Sequence, residues 1–106
     1  MPKYLIQASY SAEGLKGLHK DKASGRKAAV SQAVEGLGGR IESVYYTFGD
    51  QDAVLVLDLP DNVSAAALSL AISASGLVRT KTTPLLTVEE TDKALQKSVT
   101  YRAPGK

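Results

Sequence analysis

The run Ala53-Val54-Leu55-Val56-Leu57 carries no polar side chain. Successive residues of a strand point to opposite sides, so such a run must be covered on both faces. A second stretch, Lys3 to Tyr10, also reads as a strand. Tyr4, Ile6, Ala8 and Tyr10 fall on one face, and Leu5, Gln7 and Ser9 on the other. Its Leu5-Ile6 centre is again apolar through both faces. These two strands are expected at the middle of a sheet, with cover on each side.

The remaining pattern limits what that cover can be. Ser11 to Leu18 reads as a helix weakened by Gly14 and Gly17, and Lys20 to Gly25 as a polar bend. Arg26 to Leu37 is a firmer helix, with Val30, Ala33, Val34 and Leu37 at helical spacing; Gly38-Gly39 ends it. Arg40 to Phe48 alternates as a strand, with Ile41, Ser43, Tyr45 and Thr47 opposed to Glu42, Val44, Tyr46 and Phe48. Gly49 to Asp52 is a turn, Ala53 to Leu59 the third strand, Ser64 to Ser75 a helix capped from Pro60-Asp61-Asn62, and Leu77 to Leu86 a fourth strand. Thr87-Val88-Glu89-Glu90 fits a capping box that opens a short helix to about residue 97. The order β-α-β-β-α-β predicts an α+β ferredoxin-like sandwich: a four-stranded antiparallel sheet with helices on one face and the first and third strands central. Residues 1–97 form one domain and 98–106 a C-terminal tail. The helices cover one face, so something else must cover the other.

Composition removes whole classes of chemistry. The 106 residues, 11.2 kDa, contain no Cys. Disulfides, thiolate nucleophiles and Cys-ligated metals are therefore excluded. The one histidine, His19, permits no two-histidine metal site within a chain, and no metal or cofactor is expected. The balance of 13 basic to 11 acidic residues, net +2, is too weak to imply a nucleic-acid binder. The basic stretch Lys16 to Lys27 has no interleaved aromatics on which bases could stack. No basic-then-apolar leader opens the chain and no apolar run reaches the ~20 residues of a membrane span. A cytoplasmic protein with neither nucleic-acid nor membrane partner is expected.

Tyr45-Tyr46-Thr47-Phe48-Gly49 leading into Asp52-Ala53-Val54 resembles the signature of the GYD domain family. The strand end at Tyr10-Ser11 with Gly14, the Gly38-Gly39 helix end, the Leu59-Pro60-Asp61 strand exit and Val78 to Thr82 fit the same family. The resemblance runs from Pro2 to Lys97. It implies a dimeric α/β-barrel, in which two ferredoxin-like sheets pack face to face and cover each other's apolar strands. It brings no biochemical activity with it. The chain departs from the pattern at Gln51, where the turn normally carries an aromatic residue, and at Tyr10, where a Trp is common.

Each candidate site residue has a structural and a functional reading. Gly49 and Asp52 suit a hairpin turn, with Gly49 at positive φ and Asp52 accepting backbone N–H groups; Asp52 could otherwise serve as an acid or base at a pocket mouth. Tyr45 and Tyr46 must face opposite sides of the sheet, and Tyr46 is the expected pocket contact. Arg79 and Lys81 suit the charge of an edge strand, while Arg79 could hold a small anionic ligand in its bidentate fork. His19 is a solvated helix residue or a general base. Val63 to Val78 contains no charge, which fits either an Ala/Ser-rich surface helix or a second oligomer contact. The expected function is a homo-oligomeric small-molecule-binding or accessory protein. The alternative is a cofactor-independent monooxygenase or isomerase using Asp52 or His19 as base, Tyr46 as donor and Arg79 as anchor.

Overall fold

The computed structural model describes residues 1–106. Its elements are β1 (Lys3–Tyr10), α1 (Ala12–Gly36), β2 (Arg40–Tyr46), β3 (Ala53–Asp58), α2 (Asn62–Ala74), β4 (Val78–Leu85) and α3 (Val88–Leu95). The sheet order is β2-β3-β1-β4 and every neighbouring pair is antiparallel. This is the ferredoxin-like α+β arrangement, with β1 and β3 at its centre.

Register sorts the side chains between the faces. Tyr4 stands opposite Leu57, Ile6 opposite Leu55 and Ala8 opposite Ala53. All six are buried beneath the helices with Val34, Leu59, Ala65 and Leu68. The Tyr4 hydroxyl, at the far end of this core, donates to Asn62 Oδ1 at 2.7 Å. Leu5, Val54 and Val56 lie on the opposite face, where no helix sits. At one end of that open face Lys3 Nζ meets Asp58 Oδ1 at 2.9 Å and Arg40 Nε meets Asp58 Oδ2 at 3.1 Å. The Lys3 ammonium, with Arg40 assisting, holds the Asp58 carboxyl below its ordinary range against the opposing effect of burial.

Two local irregularities shape the helix face. The alternation of β2 places Ile41 with Ser43 and Tyr45, but a β-bulge between Ile41 and Ser43 inserts one extra residue. Ile41 therefore joins Val44 and Tyr46 on the helix face, while Ser43 and Tyr45 turn outward. The expected break between two helices is present, confined to one residue: α1, residues 12–36, is two helical stretches joined across a kink at Lys22 (φ 67°, ψ 163°). Ser11 caps its start through Gly14 N–H at 3.0 Å, and Gly38 at φ 83° ends it.

That Lys22 conformation is one that L residues adopt only under constraint. A Lys22→Gly protein is expected to gain about 1 kcal/mol, because the relieved strain exceeds the extra chain entropy glycine loses on folding. Thermal unfolding checks this: an unchanged or lowered midpoint would refute strain at the kink.

The C-terminal part lies apart from the core. Thr87 and Glu90 form the expected capping box, with backbone-to-side-chain bonds of 2.9 and 3.0 Å, but α3 buries none of its residues. The molecule is elongated, 55 × 33 × 22 Å, with a radius of gyration of 16.8 Å. A compact chain of this length would have about 13 Å. No helix is long and apolar enough to cross a membrane.

Candidate functional site

β1 and β2 end, and β3 and β4 begin, at the same edge of the sheet. Tyr10, the last residue of β1, is paired with Val78, the first of β4. Tyr46, the last of β2, is paired with Ala53, the first of β3. Both tyrosines lie on the helix face, where Ala8, Ala53 and the edge residue Thr80 leave room that larger side chains would fill. The second half of α1 passes over this end. A small pocket results, with a cavity volume of about 40 Å³. Its body is formed by aliphatic side chains, Ile6, Val30, Val44, Leu55 and Ile72 among them. Its polar groups are the Tyr10 and Tyr46 phenols, Thr80, Arg26 and Lys27. A shallower cleft between α1 and α2 shares Tyr10, Arg26, Ile72 and Val78 with it, so the two form one continuous trough.

The polar groups are held by the surrounding backbone. Asp52 N–H donates to Ala8 O at 2.8 Å, and Tyr10 N–H donates to Asp52 Oδ2 at 2.7 Å. The 47–52 turn is thereby tied to the end of β1. Thr47 also closes the turn through Asp52 O, at 2.8 Å, and its hydroxyl donates to Gln51 O. Gln51, in place of the family's aromatic, accepts from Ser9 Oγ at 3.1 Å. Burial, together with the Tyr10 phenol beside it, raises the Tyr46 hydroxyl above its ordinary pKa, against the Arg26 guanidinium. Tyr46 is therefore a protonated hydrogen-bond donor at neutral pH. Its hydroxyl meets Ala23 O only at 3.5 Å, the limit of a hydrogen bond.

Of the residues singled out from sequence, the structure brings only Tyr46 to the pocket. Gly49 (φ 152°) and Asp52 lie in the turn, and the Asp52 carboxylate is occupied by the β1 backbone instead of facing the cavity. Strand alternation places Arg79 away from this pocket. Its neighbours Val78 and Thr80 line the pocket, so Arg79 points to the open face. His19 lies exposed on the first half of α1 and lines neither the pocket nor the adjoining cleft. No three His, Asp or Glu side chains gather as metal ligands do.

Tyr10, Arg26 and Thr80 are the pocket residues that sequence reasoning missed. A signal for Arg26 was present: Arg26, Val30 and Val34 are spaced four apart, so the guanidinium starts on the stripe that Val34 buries.

A four-stranded antiparallel sheet with an apolar pocket roofed by α1 at one end defines the chain as a ferredoxin-like α+β domain. The chain belongs to the GYD domain family, whose model matches residues 4–95. A comparison with curated proteins gave no match.

Proposed function

We propose that this GYD domain protein is a homodimeric, cytoplasmic small-molecule-binding protein whose ligand sits in the pocket under α1. The observation that carries the reading is the cavity itself. It has an aliphatic body and a mouth ringed by two phenols and a guanidinium, the apolar lining with a few convergent polar groups that organic-ligand sites share. The groups that the enzyme alternative requires do not support it, because His19, Asp52 and Arg79 lie outside the cavity that holds Tyr46. General acid–base chemistry needs such groups within hydrogen-bond reach of one reacting atom.

The homodimer is supported by the open face. Leu5, Val54 and Val56 have no helix over them, and Tyr45 beside Val54 is 70% exposed. Only 12 of 106 residues are buried in the single chain. A second sheet packed on this face would bury its aliphatic centre while leaving the trough on the other face free.

Native mass spectrometry of the freshly isolated protein tests both parts. The expected spectrum shows a dimer carrying a small-molecule adduct. Light scattering of wild type at the monomer mass of 11.2 kDa would refute the dimer. Val56→Asp, which puts a charge on the centre of the open face, is expected to halve the solution mass without unfolding the chain, since Val56 faces away from the core.

A further inference from the structure

We propose that the pocket takes a small organic acid, with a compact apolar body among Ile6, Val30, Val44 and Ile72 and its carboxylate at the mouth on Arg26. The inference rests on the pocket being a ligand site and adds the charge and class of the ligand.

Charge asymmetry carries it. Arg26 and Lys27, adjacent on α1 just past the Lys22 kink, both line the pocket, and no Asp or Glu lines it. Arg26 has a carboxylate neighbour in Asp21, but the separation from Nη1 to Oδ2 is 3.8 Å, too long for a hydrogen bond. Asp21 sits on the other side of the kink, in the adjoining cleft, and its side chain is 47% exposed. An exposed ion pair at that distance contributes little. The guanidinium therefore presents its fork of donors toward the trough without a close acceptor.

The phenols complete the same end. Tyr46 is a protonated donor that interacts with the adjacent Tyr10 phenol and meets Ala23 O at 3.5 Å, so both phenol groups are at the mouth. A carboxylate at the mouth accepts the two-pronged hydrogen bonds of Arg26 and the hydroxyl of Tyr46 together. A charged acceptor in an arginine fork is roughly twice as strong as a neutral one. A neutral amide of the same shape offers the fork an acceptor oxygen without the charge, and so gains less from it. Ten of the thirteen lining residues are hydrophobic, which favours a hydrocarbon body for the rest of the molecule.

The test is a set of matched titrations of the full-length protein. Benzoate and hexanoate are each compared with the corresponding amide, which has the same size without the charge. The expected result is binding of the acids at least about tenfold tighter than their amides, with methyl resonances of Val44 and Ile72 shifting. Arg26→Gln is expected to abolish that preference. Arg26→Lys keeps the charge and is expected to retain part of the preference, which separates loss of charge from any loosening of the kink. Arg79→Gln, on the opposite face, is expected to change neither affinity. Equal binding of acids and amides, or an acid preference that survives Arg26→Gln, would overturn the acid assignment while leaving the pocket a ligand site. If neither acids nor amides bind, both the assignment and the ligand-site reading fall.

Discussion

A Gly39→Ala protein is expected to lose about 3 kcal/mol or more of folding stability, and to reach the insoluble fraction on expression at 37 °C. A Cβ built on Gly39 would fall on the Asp58 carbonyl oxygen, well inside van der Waals contact, and 2.8 Å from Leu59 Cδ2. Neither neighbour can yield cheaply. The carbonyl belongs to the end of β3 where Arg40 pairs with Asp58, and Leu59 is fully buried. Relief would require β2 to part from β3 at its first residue. Gly38→Ala makes the comparison. There the cost is the positive φ of 83°, with Pro60 Cγ no nearer than 3.5 Å, and about 1 kcal/mol is expected. Urea denaturation of the pair checks the argument. Equal losses at 38 and 39 would show that backbone conformation, and not the approach of β3, is what these glycines serve.

Leu57→Ala is the second large effect. Leu57 is fully buried, on the central strand, facing Tyr4 across β1 and Ile41 across β2. Removing its isobutyl group leaves a void among strands whose backbones are held by ladders on both sides, so little collapse can follow. A loss of about 3 kcal/mol is expected, lowering the thermal midpoint by roughly 10–20 °C. Val56→Ala, one residue away on the open face, should cost the isolated fold far less, since Val56 has no helix above it. A Leu57→Ala midpoint within a few degrees of wild type would mean that the two faces of β3 are not inequivalent in the way the register makes them.

That inequivalence was not legible in β3 itself. Ala53 to Leu57 is apolar at every position, and an unbroken apolar run says that both faces are covered without saying by what. The answer came from β1, whose Gln7 and Ser9 mark the face away from the helices. The Gly38 helix end and the Thr87–Glu90 capping box were also readable, because caps are short-range chemistry decided within four residues. The opposition of Tyr45 and Tyr46 follows from strand geometry alone, and the structure puts Tyr46 at the pocket and Tyr45 on the open face.

Three things escaped the pattern. The bulge at Ile41–Ser43 reverses the apparent phase of β2, and its cause is pairing with β3, which periodicity along one strand does not contain. The α1 kink is concentrated in one residue, Lys22, so what reads as a six-residue polar bend is mostly helix. The charged candidates lie outside the pocket. Arg79 and His19 were attractive as chemical types, yet strand alternation sends one to the far face and the helix leaves the other in solvent. Arg26 looked like one cation in a solvated cluster, although it shares a helix stripe with buried Val34.

The amino-acid sequence by itself determined the element order, the central place of β1 and β3, the family, and the need for cover on a second face. These depend on local periodicity, turn chemistry and the solvation cost of apolar strands. Only the tertiary structure decided that Tyr10, Tyr46 and Arg26 meet, from positions as far apart in the chain as the ends of β1 and β2 and the middle of α1. Two strand registers and one helix kink bring them together at a single edge of the sheet. Register is a property of pairs of strands, set by how their side chains pack together, and no one segment carries it.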